Sequence, residues 1–377
     1  MNRWKRVIIS SLTGLMVAYG GFTVWRTTPI YQAVKAPPSG FSHGTIRLDE
    51  TLGYRSPKSQ DSIMSSREGK KIPLSFDAYG CRETPPLPDA AKSIVTIGCS
   101  FTFGDGCSDE ESYPWKLQSL SGYKVYNAGF SGYGLAQMLL RAEEMMKEVH
   151  PEFLVVQLSP WLAKRSMSHF APASHALAPT VPYFAQREGK LEVQYPVFVG
   201  NNIGESLASY AGTDRGVLDF LGFTFGVVFP EMVAYDVKLT WTRLGILVGL
   251  TATPAESRDA VEAHAIESFE SLASEYDAKL VFLLIHDGLE EPRFKSGPGH
   301  AMLTYADADA ALLEALEDHT EDGYRRAYNF WRDGKLVDRH PNDRANRLIA
   351  ETVYQAISTL ERPSGLEERV GKRSDPG

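Results

Sequence analysis

Ser93-Ile-Val-Thr-Ile-Gly-Cys-Ser-Phe-Thr-Phe-Gly104 is the stretch from which the fold is read. The apolar, β-branched run Ser93–Ile97 is bounded by a glycine and reads as a short buried strand. Gly98 breaks the strand and puts Cys99 and Ser100 on the turn that follows. In an open α/β sheet, ligands bind outside the carboxyl ends of the strands, so a serine there is well placed to be a nucleophile. The plainer role of such a serine is to cap the next helix. The stretch alone leaves both open.

Downstream, strands and helices alternate. A helix is expected over 111–120, with Pro114 tolerated in its first turn. Lys124-Val-Tyr-Asn127 forms a second strand and runs into the glycine loop Ala128-Gly-Phe-Ser-Gly-Tyr-Gly134. Leu135, Met138, Leu139, Ala142, Met145, Met146 and Val149 then mark one helical face at steps of three and four, the pattern of a core-facing helix. Phe153-Leu-Val-Val-Gln-Leu158 is a third, buried strand. A fourth, 279–285, follows a polar helix that begins near Ala255, and a last helix covers 343–360. This rhythm predicts an α/β fold with a parallel sheet and right-handed crossovers.

The chain divides accordingly. Residues 1–28 form an amino-terminal anchor, 29–90 a stalk and small β-rich lead-in, 91–165 and 255–361 the two parts of the core, and 362–377 a disordered tail. Pro29, Pro37 and Pro38 suggest that the stalk is extended. Within the lead-in, Gly53-Tyr-Arg55 and Gly80-Cys-Arg82 read as two related turns. Residues 166–254 are an insertion between the third and fourth strands, with Pro172, Pro179, Pro182 and Pro196 and an apolar zone over 216–233. It reads as a lid or a docking surface for an envelope protein; a second membrane span is the alternative.

Arg3, Lys5 and Arg6 precede residues 7–25, which carry no charge, and Arg26 closes the run. A helix of that length rises roughly 28 Å, about the hydrocarbon thickness of a bilayer. The basic cluster lies before the run, so the amino terminus stays cytoplasmic and the remainder crosses. A small-residue cleavage pattern is lacking, which favours an uncleaved signal anchor over a removed leader. The expected location is the inner membrane, single-pass, with the folded domain periplasmic.

Across its 377 residues the chain is 43% hydrophobic and 23% charged, as globular proteins are, and its net charge of −8 with no basic stripe argues against nucleic acid as a partner. The three cysteines, Cys81, Cys99 and Cys107, lack metal-finger spacing; a Cys81–Cys107 bridge and free thiols both remain open. His169 and His175 have no acidic partner at metal spacing, so no metal site is expected. No phosphate-cradling glycine motif is present, and no cofactor is expected.

Near the end of the chain, Asp338 stands two residues before His340 in Val337-Asp-Arg-His-Pro-Asn342, on a loop that enters a helix. Such an aspartate can orient and charge-stabilise an imidazole, which then activates a serine elsewhere in the fold. A surface loop whose Asp caps the helix is the other reading. The glycines of 129–134 would let backbone N–H groups approach a developing oxyanion, although a plain strand-to-helix turn needs them equally. Cys99 is a rival nucleophile, expected to point away from the site if Ser100 points in. His286-Asp287 follows the fourth strand at its functional end and is a candidate for touching substrate.

Taken together, Gly98-Cys-Ser-Phe-Thr-Phe-Gly104, Asn127-Ala-Gly-Phe-Ser-Gly132 and Asp338-Arg-His-Pro-Asn342, in that order, resemble the SGNH (GDSL-type) hydrolases. The resemblance covers about 91–165 and 278–360. It implies a flavodoxin-like three-layer α/β/α sandwich in which Ser100 is the nucleophile, His340 its base and Asp338 the orienting partner. The amides of Ser100 and Gly132 would serve as oxyanion donors. Three positions depart from the family pattern. Cys99 stands where an aspartate is usual, and Asp338 is one residue nearer the histidine than is common, which makes Asp333 a reserve candidate. The place of the oxyanion asparagine falls on Trp161, so Gln157, Ser159, Asn127 and Arg165 are the candidates to replace its donor. Anchored members often act on ester groups of envelope glycans. The expectation is therefore an esterase, deacetylase or O-acyltransferase whose partner is an ester-bearing small molecule or glycan. The rival is a catalytically impaired protein of the same fold that binds a polysaccharide or an assembly partner.

Overall fold

The computed structural model describes residues 3–35, 46–65, 70–88, 90–167, 181–187, 190–196, 237, 254–289 and 303–362. In chain order the helix α1 (Arg3–Lys35) precedes two antiparallel hairpins, β1 (Arg47–Asp49) with β2 (Gly53–Arg55) and β3 (Gln60–Ser65) with β4 (Lys71–Phe76). The core opens with β5 (Ser93–Ile97), the one-turn helix α2 (Ser100–Phe103), α3 (Tyr113–Ser121) and β6 (Lys124–Asn127). It continues through α4 (Leu135–Val149), β7 (Phe153–Leu158) and the short α5 (Leu162–Arg165). A hairpin, β8 (Tyr183–Arg187) with β9 (Lys190–Gln194), precedes α6 (Pro254–Glu275), β10 (Lys279–Leu284) and β11 (Thr304–Asp307). The chain then makes α7 (Ala308–Glu314), α8 (Glu321–Tyr328), the hairpin β12 (Phe330–Arg332) with β13 (Lys335–Asp338), and α9 (Asp343–Glu361).

The central sheet is five-stranded and parallel, in the order β11-β10-β7-β5-β6. Numbered along the chain, that is the doubly wound 2-1-3-4-5 order, whose direction reverses between β5 and β7. The middle strand, β7, is buried at every position, as its unbroken apolar run requires of a strand covered on both faces. Helices α3 and α9 pack together on one face and α4 with α6 on the other, giving three layers. The α4 stripe faces the core as its spacing predicts: Leu135, Met138, Leu139, Ala142, Met145 and Met146 are all buried. The strand β11 was not expected. Its four residues, Thr-Tyr-Ala-Asp, carry no apolar run, and only Ala306 is buried.

The lead-in belongs to this body. Isolated bridges from Phe76 to Arg82 and from Arg82 to Asn127 tie the β3–β4 hairpin to the β6 edge of the sheet. The two echoed turns share a mechanism, since Gly53 and Gly80 both have positive φ (79° and 73°) and each is followed two residues later by an arginine paired with carboxylates. Arg55 pairs with Asp49 and Glu144, and Arg82 with Asp109.

The helix α1 runs through 27–35, where extended chain was expected. A single proline, Pro29, deletes one backbone hydrogen bond and does not by itself end a helix. Among the described residues no helix is long and apolar enough to cross a membrane. The side chains at 6–7 and 23–35 fall outside the described set, so the uncharged run 7–25 is covered only in part. Within it, Ile8, Ile9, Leu12, Leu15, Met16 and Val17 are exposed. Of the insertion, the β8–β9 hairpin packs on the core, with Phe184 edge-on to His264 of α6. The apolar zone 216–233, the histidines His169 and His175 and the tail 363–377 lie outside the described residues.

Candidate active site

Ser100 opens α2 immediately beyond β5, beside the point where the sheet order reverses. Gly98 makes the turn fit. A Cβ there would lie 1.9 Å from Thr102 Oγ1 and 2.5 Å from Gln157 Oε1, so any side chain would drive the turn off the sheet. The helix closes after one turn, with Gly104 in the left-handed region at φ 88°. The amides of Gly104 and Asp105 both donate to the Ser100 carbonyl, at 2.9 and 3.0 Å. Ser100 itself is 7% exposed.

His340 comes from the loop between β13 and α9. Asn329 donates from Nδ2 to the carbonyls of Arg339 (2.7 Å) and His340 (3.3 Å), and Asn346 donates to the Pro341 carbonyl at 3.0 Å. Asn342 caps α9 by accepting from the Ala345 amide at 3.1 Å. With its backbone so fixed, the imidazole presents Nδ1 to Asp338 Oδ1 at 2.6 Å, and Asp338 Oδ1 also accepts from the His340 amide at 3.2 Å. Burial disfavours the charged ring, but the Asp338 hydrogen bond and the charges of Asp105 and Asp338 outweigh it and raise its pKa. Asp333, the reserve partner, sits on the β12–β13 turn beside Arg332, with its carboxylate exposed.

Phe101 follows Ser100, and its ring reaches His340. Its ring is edge-on to His340 at 5.5 Å and to Trp161 at 5.2 Å, between centroids. Cys99 is fully buried beside the serine, its Sγ 3.8 Å from Ser100 Oγ. Burial pushes the Cys99 thiol up, yet the Arg165 charge and donors from Phe101, Trp161 and Gln157 outweigh it and lower its pKa. The buried Nε1 of Trp161 has no regular hydrogen-bond partner among the described residues, and its N–H acts on this sulfur.

The remaining candidates are placed as follows. Gly132 lies in the glycine loop at φ 80°, a conformation that favours glycine. The preceding Ser131 is tied by its carbonyl to Tyr54 Oη at 2.8 Å and by its hydroxyl to Asp105 Oδ1 at 2.5 Å. Arg165 donates to the Tyr133 carbonyl at 3.2 Å. Gln157 is engaged at both ends. Its Oε1 accepts from the Cys99 amide (3.0 Å) and Thr102 Oγ1 (2.9 Å), while Nε2 donates to Cys99 Sγ (3.2 Å) and Ser159 Oγ (2.8 Å). Ser159 donates its own hydroxyl to the Ile285 carbonyl at 2.8 Å. Asn127 is buried and donates to the Phe103 carbonyl at 3.3 Å, beneath the nucleophile loop. His286, buried beyond β10, pairs through its amide and Nδ1 with Asp309 of α7. The structure thus gathers Ser100, Cys99, Phe101, Asp338, His340, Trp161 and Arg165, while Asn127, Gln157 and Ser159 make the scaffold under them and His286 belongs to a separate pair.

Two positioning residues escaped the sequence reading. Fully buried Arg82 donates to the carbonyls of Phe103 (2.9 Å), Gly104 (2.7 Å) and Cys107 (2.6 Å) and pairs with Asp109 at 2.6 Å, clamping the loop that follows the serine. Cys107 joins that loop to the base loop, its thiol donating to the Pro341 carbonyl at 3.3 Å and accepting from Asn346 Nδ2 at 3.3 Å. All three cysteines are free and buried. The repeated Gly-x-Arg turn was the available signal for Arg82, but sequence spacing says nothing of which carbonyls it would reach. Among the described residues, no group of His, Cys, Asp and Glu is arranged to hold a metal ion.

No family model and no curated protein matches the chain. Several solved structures are similar to it. A putative lipolytic protein of the G-D-S-L family from Desulfitobacterium hafniense is 12% identical with a TM-score of 0.35, over 70% of this chain and 99% of that one. A psychrotrophic esterase from Pseudoalteromonas is 13% identical with a TM-score of 0.32, over 71% and 98%. An acetyl xylan esterase from the rumen bacterium Butyrivibrio proteoclasticus is 10% identical with a TM-score of 0.32, over 79% and 72%. At such scores no assignment follows from the likeness, and the residues of this chain carry the functional reading.

Proposed function

We propose that the protein is an SGNH-type serine esterase or O-acyltransferase acting on ester groups, with an envelope glycan as the substrate class. The observation that carries this reading is the 2.6 Å pair of Asp338 and His340, whose imidazole packs against the ring of Phe101, the residue after Ser100, at the carboxyl end of a parallel sheet where its order reverses. Ser100 Oγ attacks the ester carbonyl while His340 Nε2 takes its proton. Asp338 fixes the ring through Nδ1 and stabilises the imidazolium. The same proton goes to the alcohol oxygen as the acyl C–O bond breaks, and water or a sugar hydroxyl then resolves the acyl-enzyme. The amides of Ser100 and Gly132 are the proposed oxyanion donors. Arg165 and the indole N–H of Trp161 are candidates for the place of an asparagine, and Phe101 with Trp161 for the wall against the acyl group. The apolar side chains exposed along α1 support an amino-terminal membrane anchor, with the domain on the periplasmic side.

Hydrolysis of an aryl acetate tests the reading. Ser100→Ala is expected to lower the rate at least about a thousandfold; equal rates in both proteins would remove it.

Trp161, in place of an amide side chain, favours a second reading as a binding protein of the same fold. Acetylated oligosaccharide that binds but is never turned over, with equal affinity for wild type and Ser100→Ala, is the outcome that reading expects.

A further inference from the structure

His340 carries a carboxylate at each edge of its ring. Asp338 meets Nδ1 at 2.6 Å, and Asp105 lies 3.7 Å from Nε2. Asp105 follows the left-handed Gly104, and its carboxylate is fixed to the glycine loop by Ser131 Oγ at 2.5 Å. Among the described residues Ser100 Oγ contacts the Cys99 sulfur, so the nitrogen that must take the serine proton faces a carboxylate instead. An imidazole flanked in this way is favoured as imidazolium, which has two donors and no lone pair to accept a proton.

We propose that Asp105 is a second positioning carboxylate of this site, stabilising the charged form of His340 and so setting the pH above which the ring takes the Ser100 proton. The inference rests on the acyl-transfer reading. The groups that face the ring are Asp338 from the loop after β13, Asp105 from behind α2 and Cys99 from the end of β5; Asp338 and Arg82 in turn face Asp105. Once the ring is neutral, Nε2 accepts the Ser100 proton as the Oγ–carbonyl bond forms, and Asp105 is already aligned to the imidazolium so made. The proton then leaves with the alcohol.

Asp105→Asn removes the charge and keeps an acceptor for Ser131. In a Ser100→Ala background, the NMR titration midpoint of the His340 ring is expected to fall by about one pH unit or more when Asp105→Asn is added. Asp105→Glu is expected to hold the parent midpoint, and Asp105→Ser serves as a second uncharged variant if Asp105→Asn does not fold. In the chain with Ser100 intact, fluorophosphonate labelling of Asp105→Asn should be about fivefold faster than wild type one unit below the wild-type midpoint, and slower on the plateau. A merely structural role would lower labelling by one factor at every pH. That result, or an unmoved titration midpoint, overturns the proposal. The titration is read in a chain without the nucleophile, so it judges Asp105 even if wild type fails to label, an outcome that would count against acyl transfer.

Discussion

Burial would discharge His340, and two carboxylates keep it basic, so its pKa is raised above the ordinary 6.5. As the proposed base, His340 works only when neutral. Activity must rise as pH climbs through the folded-state value, and the acid limb of a labelling profile is expected to have its midpoint above 6.5. A midpoint at or below that value would mean the carboxylates are not coupled to the ring. Asp338→Asn removes the orienting charge and is expected to cost about three to four orders of magnitude in labelling rate and to move the acid limb down. The Asp-x-His spacing made this pair readable in the sequence, since both partners lie on one loop. The Asp105 contact was not readable, because only the folding of the loop behind α2 onto the base loop brings those residues together.

The turn that carries Ser100 is an assembly of elements. The strand β5 ends in Gly98, α2 lasts one turn, and Arg82 reaches in from the lead-in to hold the carbonyls beyond it. Arg82→Met would leave Asp109 half-buried without its partner and would strand the Phe103, Gly104 and Cys107 carbonyls. A loss of about 3–5 kcal/mol is expected in a denaturant titration, against near zero if the clamp were incidental. Gly98→Ala forces Thr102 and Gln157 apart and is expected to abolish labelling of Ser100 while leaving the secondary structure seen by circular dichroism in place. The long, strongly patterned elements were legible: β7 from its apolar run and α4 from its stripe. β11 was not, because an edge strand of four residues with one buried side chain has no periodicity to read. The β-rich lead-in was legible as strands, while its work as a brace was not, since Arg82 and Tyr54 act on residues far along the chain.

Over the whole molecule, the parallel sheet sets one functional edge, and the loops after β5, β6 and β7 converge there with the loop before α9. At the other extreme of the chain, the described part of α1 exposes Ile8, Ile9, Leu12, Leu15, Met16 and Val17, the side chains on which the proposed anchor rests. Full-length protein is expected to float with phospholipid vesicles, and the double change Leu12→Lys and Met16→Lys should release it, since each lysine at the centre of a span costs about 2.5–3.5 kcal/mol. Flotation unaffected by both lysines would argue against the anchor. The central claim is that Ser100, served by His340, forms the acyl-enzyme. Mapping the site of a fluorophosphonate adduct by peptide mass spectrometry tests it most directly. The adduct is expected on Ser100 and is expected to vanish in His340→Ala; an adduct elsewhere, or one on Ser100 that forms equally fast without the histidine, would contradict the claim.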